Sequence, residues 1–273
     1  MRKITVSLTV LALVTGVCAS AIAQAVPNTQ PKFLHVFREQ VKPARGAEHA
    51  QWETGWPAAY EKSKSTTPYL ALSAITGPQE VWYVTPYASQ AAYGETMAWE
   101  ETQPGLTTEL DRLAKGDAEF LADANAFQAV AVPELSHGAY PDLAKQRYWE
   151  ITTFRIRPGH EPAWIAATGA YKAATARSAP NASWRTYRIV AGAPDGTYLV
   201  FSSVASFGEF DKMAADGDAT MKNASAEEMT VLGKFMKESV INVSTNRYRL
   251  DPKQSYVDAA TKAKDPAFWN PKK

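Results

Sequence analysis

The chain has 273 residues, of which 45% are hydrophobic and 11% aromatic, with 29 basic residues, 28 acidic residues and one cysteine. Near-neutral charge without basic runs argues against nucleic acid as a partner. A single cysteine excludes a disulfide framework and cysteine-ligated zinc or iron–sulfur sites.

The chain opens MRKITVSLTVLALVTGVCASAIAQA. Arg2 and Lys3 form a basic start, and Ile4 to Val17 is apolar but short for a bilayer. Ala21-Ile22-Ala23 then offers the small-x-small pattern read by signal peptidase. These features predict a signal peptide over residues 1–23, cleavage after Ala23, and export to the periplasm or medium, in preference to a membrane anchor. Val17 before Cys18 argues against a lipoprotein. Loss of Arg2, Lys3 and Cys18 leaves 27 basic and 28 acidic residues, a net charge of −1, and no thiol. No later segment has the length and apolarity of a membrane span, so no membrane partner is expected after cleavage.

The mature chain reads as two similar halves. TPYASQAAYGETM (Thr85–Met97) and FSSVASFGEFDKM (Phe201–Met213) share an apolar run, Ala-Ser, an aromatic and a Met. VKPARG (Val41–Gly46) matches IRPG (Ile156–Gly159), and AITGPQEVWYV (Ala74–Val84) matches VAGAPDGTYLV (Val190–Val200). A period near 117 residues reads as a duplicated domain rather than a solenoid.

Each half has one element order. A strand with two-residue alternation comes first, Leu34 and Val36 on one side and His35 and Phe37 on the other, matched by Trp149, Ile151 and Glu150, Thr152. A helix follows; Pro57 breaks it in the first half and Pro162 suits a first turn in the second. A hairpin with Gly and Pro at its turn is next. Ser89 and the capping-box pattern Ser206–Glu209 open another helix, on which Tyr93/Phe210 and Met97/Met213 are expected to face the core. A second capping box, Ser225–Glu228, opens the late helix, and a last strand closes each half. The order is β-α-β-β-α-(α)-β, a ferredoxin-like arrangement. The predicted boundaries are a first unit over 31–132, a linker over 133–146, a second unit over 147–251 and a C-terminal tail over 252–273.

Two such units in tandem, with an aromatic-rich first helix and a late extra helix, resemble the dimeric α+β barrel superfamily. Its members include NIPSNAP-like and EthD-like proteins, antibiotic-biosynthesis monooxygenases and, in fused form, chlorite dismutase relatives. The resemblance implies antiparallel sheets that face each other as an intramolecular pseudo-dimer, with self-association into a homo-oligomer left open. A haem-binding relative would need a proximal histidine in the second unit. Only His160 lies there, at a turn, so no cofactor is expected.

The candidate site follows from strand alternation. The apolar sides of the first strands are expected to pack beneath helices, leaving His35 and Glu150 between the facing sheets. Tyr69 in the first half, and Trp184 and Arg188 in the second, share that face. A cavity of this kind suits a small apolar or aromatic ligand, with His35 and Glu150 as candidates for acid–base work and Arg188 as a cation close to Glu150. The polar strand Trp184–Arg188 favours the second half as the wall of a single site. His49, His137 and His160 are expected to be solvated, and no metal-ligand spacing occurs. Neither a G-x-S-x-G elbow nor a phosphate loop is present. Three functions are compatible with these features: small-molecule binding, a cofactor-independent monooxygenase or isomerase, and a structural or protein-interaction module.

Overall fold

A strand with two non-polar faces has to cover both, and closing a sheet on itself covers one of them without a partner molecule. The computed structural model, which describes residues 25–271, takes this route. The expected signal segment lies outside the described residues. The first half contributes β1 (Phe33–Val41), α1 (Gly46–Glu53), α2 (Gly55–Ser63), β2 (Tyr69–Ala74), β3 (Glu80–Tyr87), α3 (Gln90–Glu101), α4 (Pro104–Asp117) and β4 (Leu121–Ala131). The second contributes β5 (Tyr148–Ile156), α5 (Glu161–Ser178), β6 (Arg185–Ala191), β7 (Thr197–Val204), α6 (Glu209–Lys222), α7 (Ala226–Glu238) and β8 (Val240–Tyr256).

All pairings are antiparallel, and the strands form a closed eight-stranded barrel in the order β1-β3-β2-β8-β5-β7-β6-β4. Within the halves the orders are β4-β1-β3-β2 and β8-β5-β7-β6. Two seams join them: β2 to β8, where Leu72 faces Leu250, and β4 to β6, where Ala129 faces Ile189.

An eight-stranded barrel leaves just enough interior for side chains to fill. Leu34, Val36, Leu72, Trp82, Ile151 and Leu199, with Tyr248 and Leu250, make one buried cluster there. This reverses the expected facing. Leu34/Val36 and Trp149/Ile151 lie inside the barrel, not beneath helices, and His35 and Glu150 lie on its outer face. The reason is packing: compact apolar side chains fit the narrow interior, whereas the mixed face meets helices whose spacing leaves room for polar groups. One carboxylate does enter the interior. Glu80, with a side chain 1% exposed, accepts from Trp82 Nε1 (3.0 Å), the Tyr248 hydroxyl (2.7 Å) and Arg38 Nε (2.5 Å).

The expected helix break falls at Thr54, three residues before Pro57, which sits in the first turn of α2. Ser89 accepts from Ala92 N and caps α3, and Ser225 and Glu228 form the expected capping box on α7. The Ser206–Glu209 pattern behaves differently, because α6 begins only at Glu209. Its carboxylate reaches back to Ala205 N and the Ser206 hydroxyl. Phe210 is buried, but Met97, expected in the core, is 44% exposed on a helix without a fully buried residue. Residues 252–271 complete β8 and add α8 (Ala259–Lys264) and α9 (Pro266–Trp269). Trp269 is buried against the barrel cluster and donates to the Ala144 carbonyl at 3.0 Å.

Candidate functional site

The outer face of the second half does not pack flush against its helices. Glu150, Thr152 and Phe154 alternate along β5, and Val200 and Ser202 along β7, forming the floor of a cleft. Trp164, Thr168, Tyr171 and Thr175 recur at helical spacing on α5 and form one wall. Met213, Gly217 and Thr220 of α6 and Phe235 of α7 close the rest. The cleft has a volume of about 730 Å³, within the range that ligand sites occupy.

Its lining is mostly apolar with a few placed polar groups. Trp164 packs against Phe154, Tyr198 and Phe235 with ring centroids 4.9, 5.6 and 5.3 Å away. Among the described residues its Nε1 and the Thr168 hydroxyl are buried without a hydrogen-bond partner. Unpaired buried polar groups are rare in folded proteins, since each costs roughly 1–3 kcal/mol. Here both belong to residues that line the cleft, where a bound molecule could pair with them. Trp184 is fixed at the edge: it donates Nε1 to the Leu135 carbonyl at 2.9 Å and stacks on His137 at 4.7 Å. On the floor, Glu150 accepts from Arg247 Nε at 2.9 Å, and the guanidinium lies 4.1 Å over the Phe210 ring.

The corresponding space in the first half is packed. Tyr93 of α3 stacks on His35 at 5.0 Å and meets Phe33 and Tyr87. Tyr60, Tyr69, Tyr83 and Tyr256 form a second aromatic group beneath α2. Burial lowers the His35 pKa, which leaves the imidazole neutral near pH 7, and raises those of the Tyr69 and Tyr83 hydroxyls.

Of the five residues predicted for a site, Glu150 and Trp184 therefore meet in one cleft. His35 and Tyr69 sit in the packed first half. Arg188 is exposed on β6 opposite Tyr198 and does not line the cleft; the cation beside Glu150 is Arg247. The register of β8 against β5 decides this, placing Arg247 directly across from Glu150. Arg247, Thr168 and Tyr171 were not singled out by sequence reasoning. The Trp164–Thr168–Tyr171–Thr175 spacing was the available signal for the helical wall. Neither His137 nor His160 is fully solvated: His137 is half-buried against Trp184, and His160 Nδ1 lies 2.9 Å from the Ser239 hydroxyl. Among the described residues, no histidine lines the cleft.

No family model matches the chain, and no curated protein matches it. Solved structures do. An anthrone oxidase-like protein superposes with a TM-score of 0.54 at 10% identity, covering 84% of this chain and 94% of that one. A protein proposed to be a monooxygenase, from Fusobacterium nucleatum subsp. nucleatum, superposes with a TM-score of 0.51 at 8% identity, covering 81% and 93%. The chain has the dimeric α+β barrel fold. A chlorite dismutase variant from Candidatus Nitrospira defluvii is more distant, with a TM-score of 0.48 at 10% identity over 82% and 93%.

Proposed function

We propose that the protein binds a small, mainly aromatic molecule carrying one or two polar groups, in the cleft between β5, β7 and helices α5–α7. The observation that carries this reading is the pair of unpartnered buried groups, Trp164 Nε1 and Thr168 Oγ1, in a cleft whose counterpart region in the first half is occupied by Tyr93 and by Tyr60, Tyr69, Tyr83 and Tyr256. The duplication explains the asymmetry: two ferredoxin-like units, 31–132 and 147–251, close the barrel together, after which only one of them needs to keep its outer face open. We further propose that the N-terminal segment directs export, so that binding takes place outside the cytoplasm; the mature protein should then begin at Gln24, as N-terminal sequencing of the exported protein would check.

A second reading, a cofactor-independent monooxygenase or isomerase, is favoured by Glu150. It is the carboxylate on the strand floor of the cleft, positioned to take a proton from a bound phenol or acidic C–H, with Arg247 beside it to hold the charge. Solved structures that share the fold include a protein proposed to be a monooxygenase and one described as anthrone oxidase-like. The test is calorimetric titration with a panel of bicyclic and tricyclic phenols. Saturable one-to-one binding that survives Glu150→Gln, with loss of oxygen consumption in that variant, supports binding plus catalysis. Binding without turnover in either protein leaves the binding reading alone, and no saturable heat with any of the panel overturns both.

A further inference from the structure

Four ionisable side chains that play no part in the cleft converge in the first half. Glu39 projects from the outer face of β1. His49 and Glu53 share one face of α1, four residues apart, and Asp117 ends α4. All four are buried, Glu39 and Glu53 at 3% exposure and His49 and Asp117 at 1%. His49, expected from its helix position to be solvated, is thus among the most enclosed side chains of the molecule. Each residue presents one donor atom, and these atoms all lie within 4.8 Å of one another. His49 Nε2 is 3.0 Å from Glu39 Oε2 and 3.7 Å from Asp117 Oδ1.

Two features set this group apart from a self-sufficient buried network. Glu53 Oε1 and Asp117 Oδ1 are buried with no hydrogen-bond partner among the described residues. Three carboxyl groups beside one imidazole also cannot all ionise without leaving buried charge that the imidazole cannot balance, and each buried ion costs several kcal/mol. The fold itself does not demand the arrangement. Glu39 lies two residues before Val41, at the irregular pairing of β1 with β4; the same place before Ile156, at the irregular pairing of β5 with β8, is Phe154. Asp117 lies three residues before Phe120, whose carbonyl accepts from Lys42 N; three before Ser239, whose carbonyl accepts from Arg157 N, is Met236. The corresponding positions of the second half are apolar, Phe154 half-buried and Met236 exposed.

We infer that Glu39, His49, Glu53 and Asp117 form a binding site for a divalent first-row transition ion, of the Zn²⁺ or Mn²⁺ class, that ties β1, α1 and α4 together. One imidazole nitrogen with carboxylate oxygens is a donor set these ions accept, whereas Mg²⁺ prefers to keep its waters and has less use for a nitrogen ligand. Donor atoms about 2.0–2.2 Å from such an ion lie at most about 4.4 Å apart, so the group needs only modest closure to reach it. The unpaired oxygens of Glu53 and Asp117 then gain a partner, and their carboxyl groups can ionise against the cation. Sequence spacing conceals the site because only His49 and Glu53 are local; Glu39 and Asp117 arrive through the strand register and the end of a distant helix.

The site is enclosed, so the ion must enter as the chain folds or opens. The test therefore uses tag-free mature protein, unfolded in chelator, refolded with Zn²⁺ or Mn²⁺, desalted and assayed for metal by mass spectrometry. One equivalent should be retained, and Tm should rise by about 5 °C or more over the metal-free protein at a hundredfold excess above Kd. The double variant Glu53→Gln/Asp117→Asn, which keeps side-chain volume, should lose at least tenfold in affinity. Refolding with Co²⁺ provides a reading independent of the variants, because a nitrogen–oxygen site of low coordination number gives visible absorption bands. Failure of the wild-type protein to retain Zn²⁺ or Mn²⁺, equal retention by the double variant, or the absence of Co²⁺ bands would overturn the assignment.

Discussion

Gly217 offers a substitution whose effects on stability and binding should have opposite consequences. It lies on α6 facing the cleft, and a Cβ built there meets no atom within 4 Å. Replacing a helix-interior glycine gains about 0.8 kcal/mol from the unfolded chain's lost freedom. A leucine side chain laid against the cleft wall would add on the order of 1 kcal/mol, roughly half of full leucine burial. Gly217→Leu should therefore stabilise the protein by about 2 kcal/mol and raise Tm by about 4–8 °C, at 2–4 °C per kcal/mol for a chain of this size. The same side chain occupies ligand space, so affinity for an aromatic ligand should fall at least tenfold, about 1.4 kcal/mol. Gly169→Leu is the control. That glycine is exposed on α5 and also meets nothing within 4 Å, so it should gain the helix contribution alone and leave binding unchanged. Calorimetric titration and thermal melts of the three proteins decide the matter. A Gly217→Leu protein that binds as wild type, or that is less stable, would refute the reasoning about the cleft.

Other outcomes follow from the same geometry. Burial, then the Glu39 charge, pushes the Glu53 pKa up to about 9 from an ordinary 4.5, with Asp117, His49 and Tyr83 also facing it; burial likewise pushes Asp117 up to about 7. The metal-free folded protein thus holds protons that the unfolded chain releases, and its stability should fall as pH rises from about 5 towards 9. Glu53→Gln should be more stable than metal-free wild type by a margin that widens over that range in thermal melts, and a margin that narrows would contradict the assignment. Glu80→Ala should cost about 3–5 kcal/mol in denaturant unfolding, because it strands Arg38, Trp82 Nε1 and the Tyr248 hydroxyl inside the barrel. Ile151→Ala should cost about 2–5 kcal/mol, and its outward neighbour Thr152→Ala under about 1 kcal/mol, since only the first empties the interior. Equal costs would argue against the assignment of strand faces.

The strands, turns and caps were legible because each depends on local chemistry. Ser89 caps a helix, Pro57 interrupts one, and alternating Leu34 and Val36 make a strand wherever the element ends up. The facing of those strands was not legible. Alternation separates two sides without saying which one curls inward, and in a closed barrel the inner side is the more compact and apolar. The candidate site divided along the same line. Glu150 and Trp184 are near one cleft because both sit on the outer face of the second half, while His35 and Tyr69 occupy the same face of the first half, where Tyr93 and Tyr60 fill the space. Arg247 and Asp117 reach their neighbours through pairings between distant segments, which no short stretch of sequence encodes.

The most direct measurement of ligand binding is a crystal structure of the protein grown with the tightest-binding phenol from the titration. The expected result is a ring against Trp164 beneath α6, with a polar atom within hydrogen-bond reach of Trp164 Nε1 or Thr168 Oγ1. A ligand found inside the barrel, under the helices of the first half, or only on the outer surface while the cleft stays empty would contradict it.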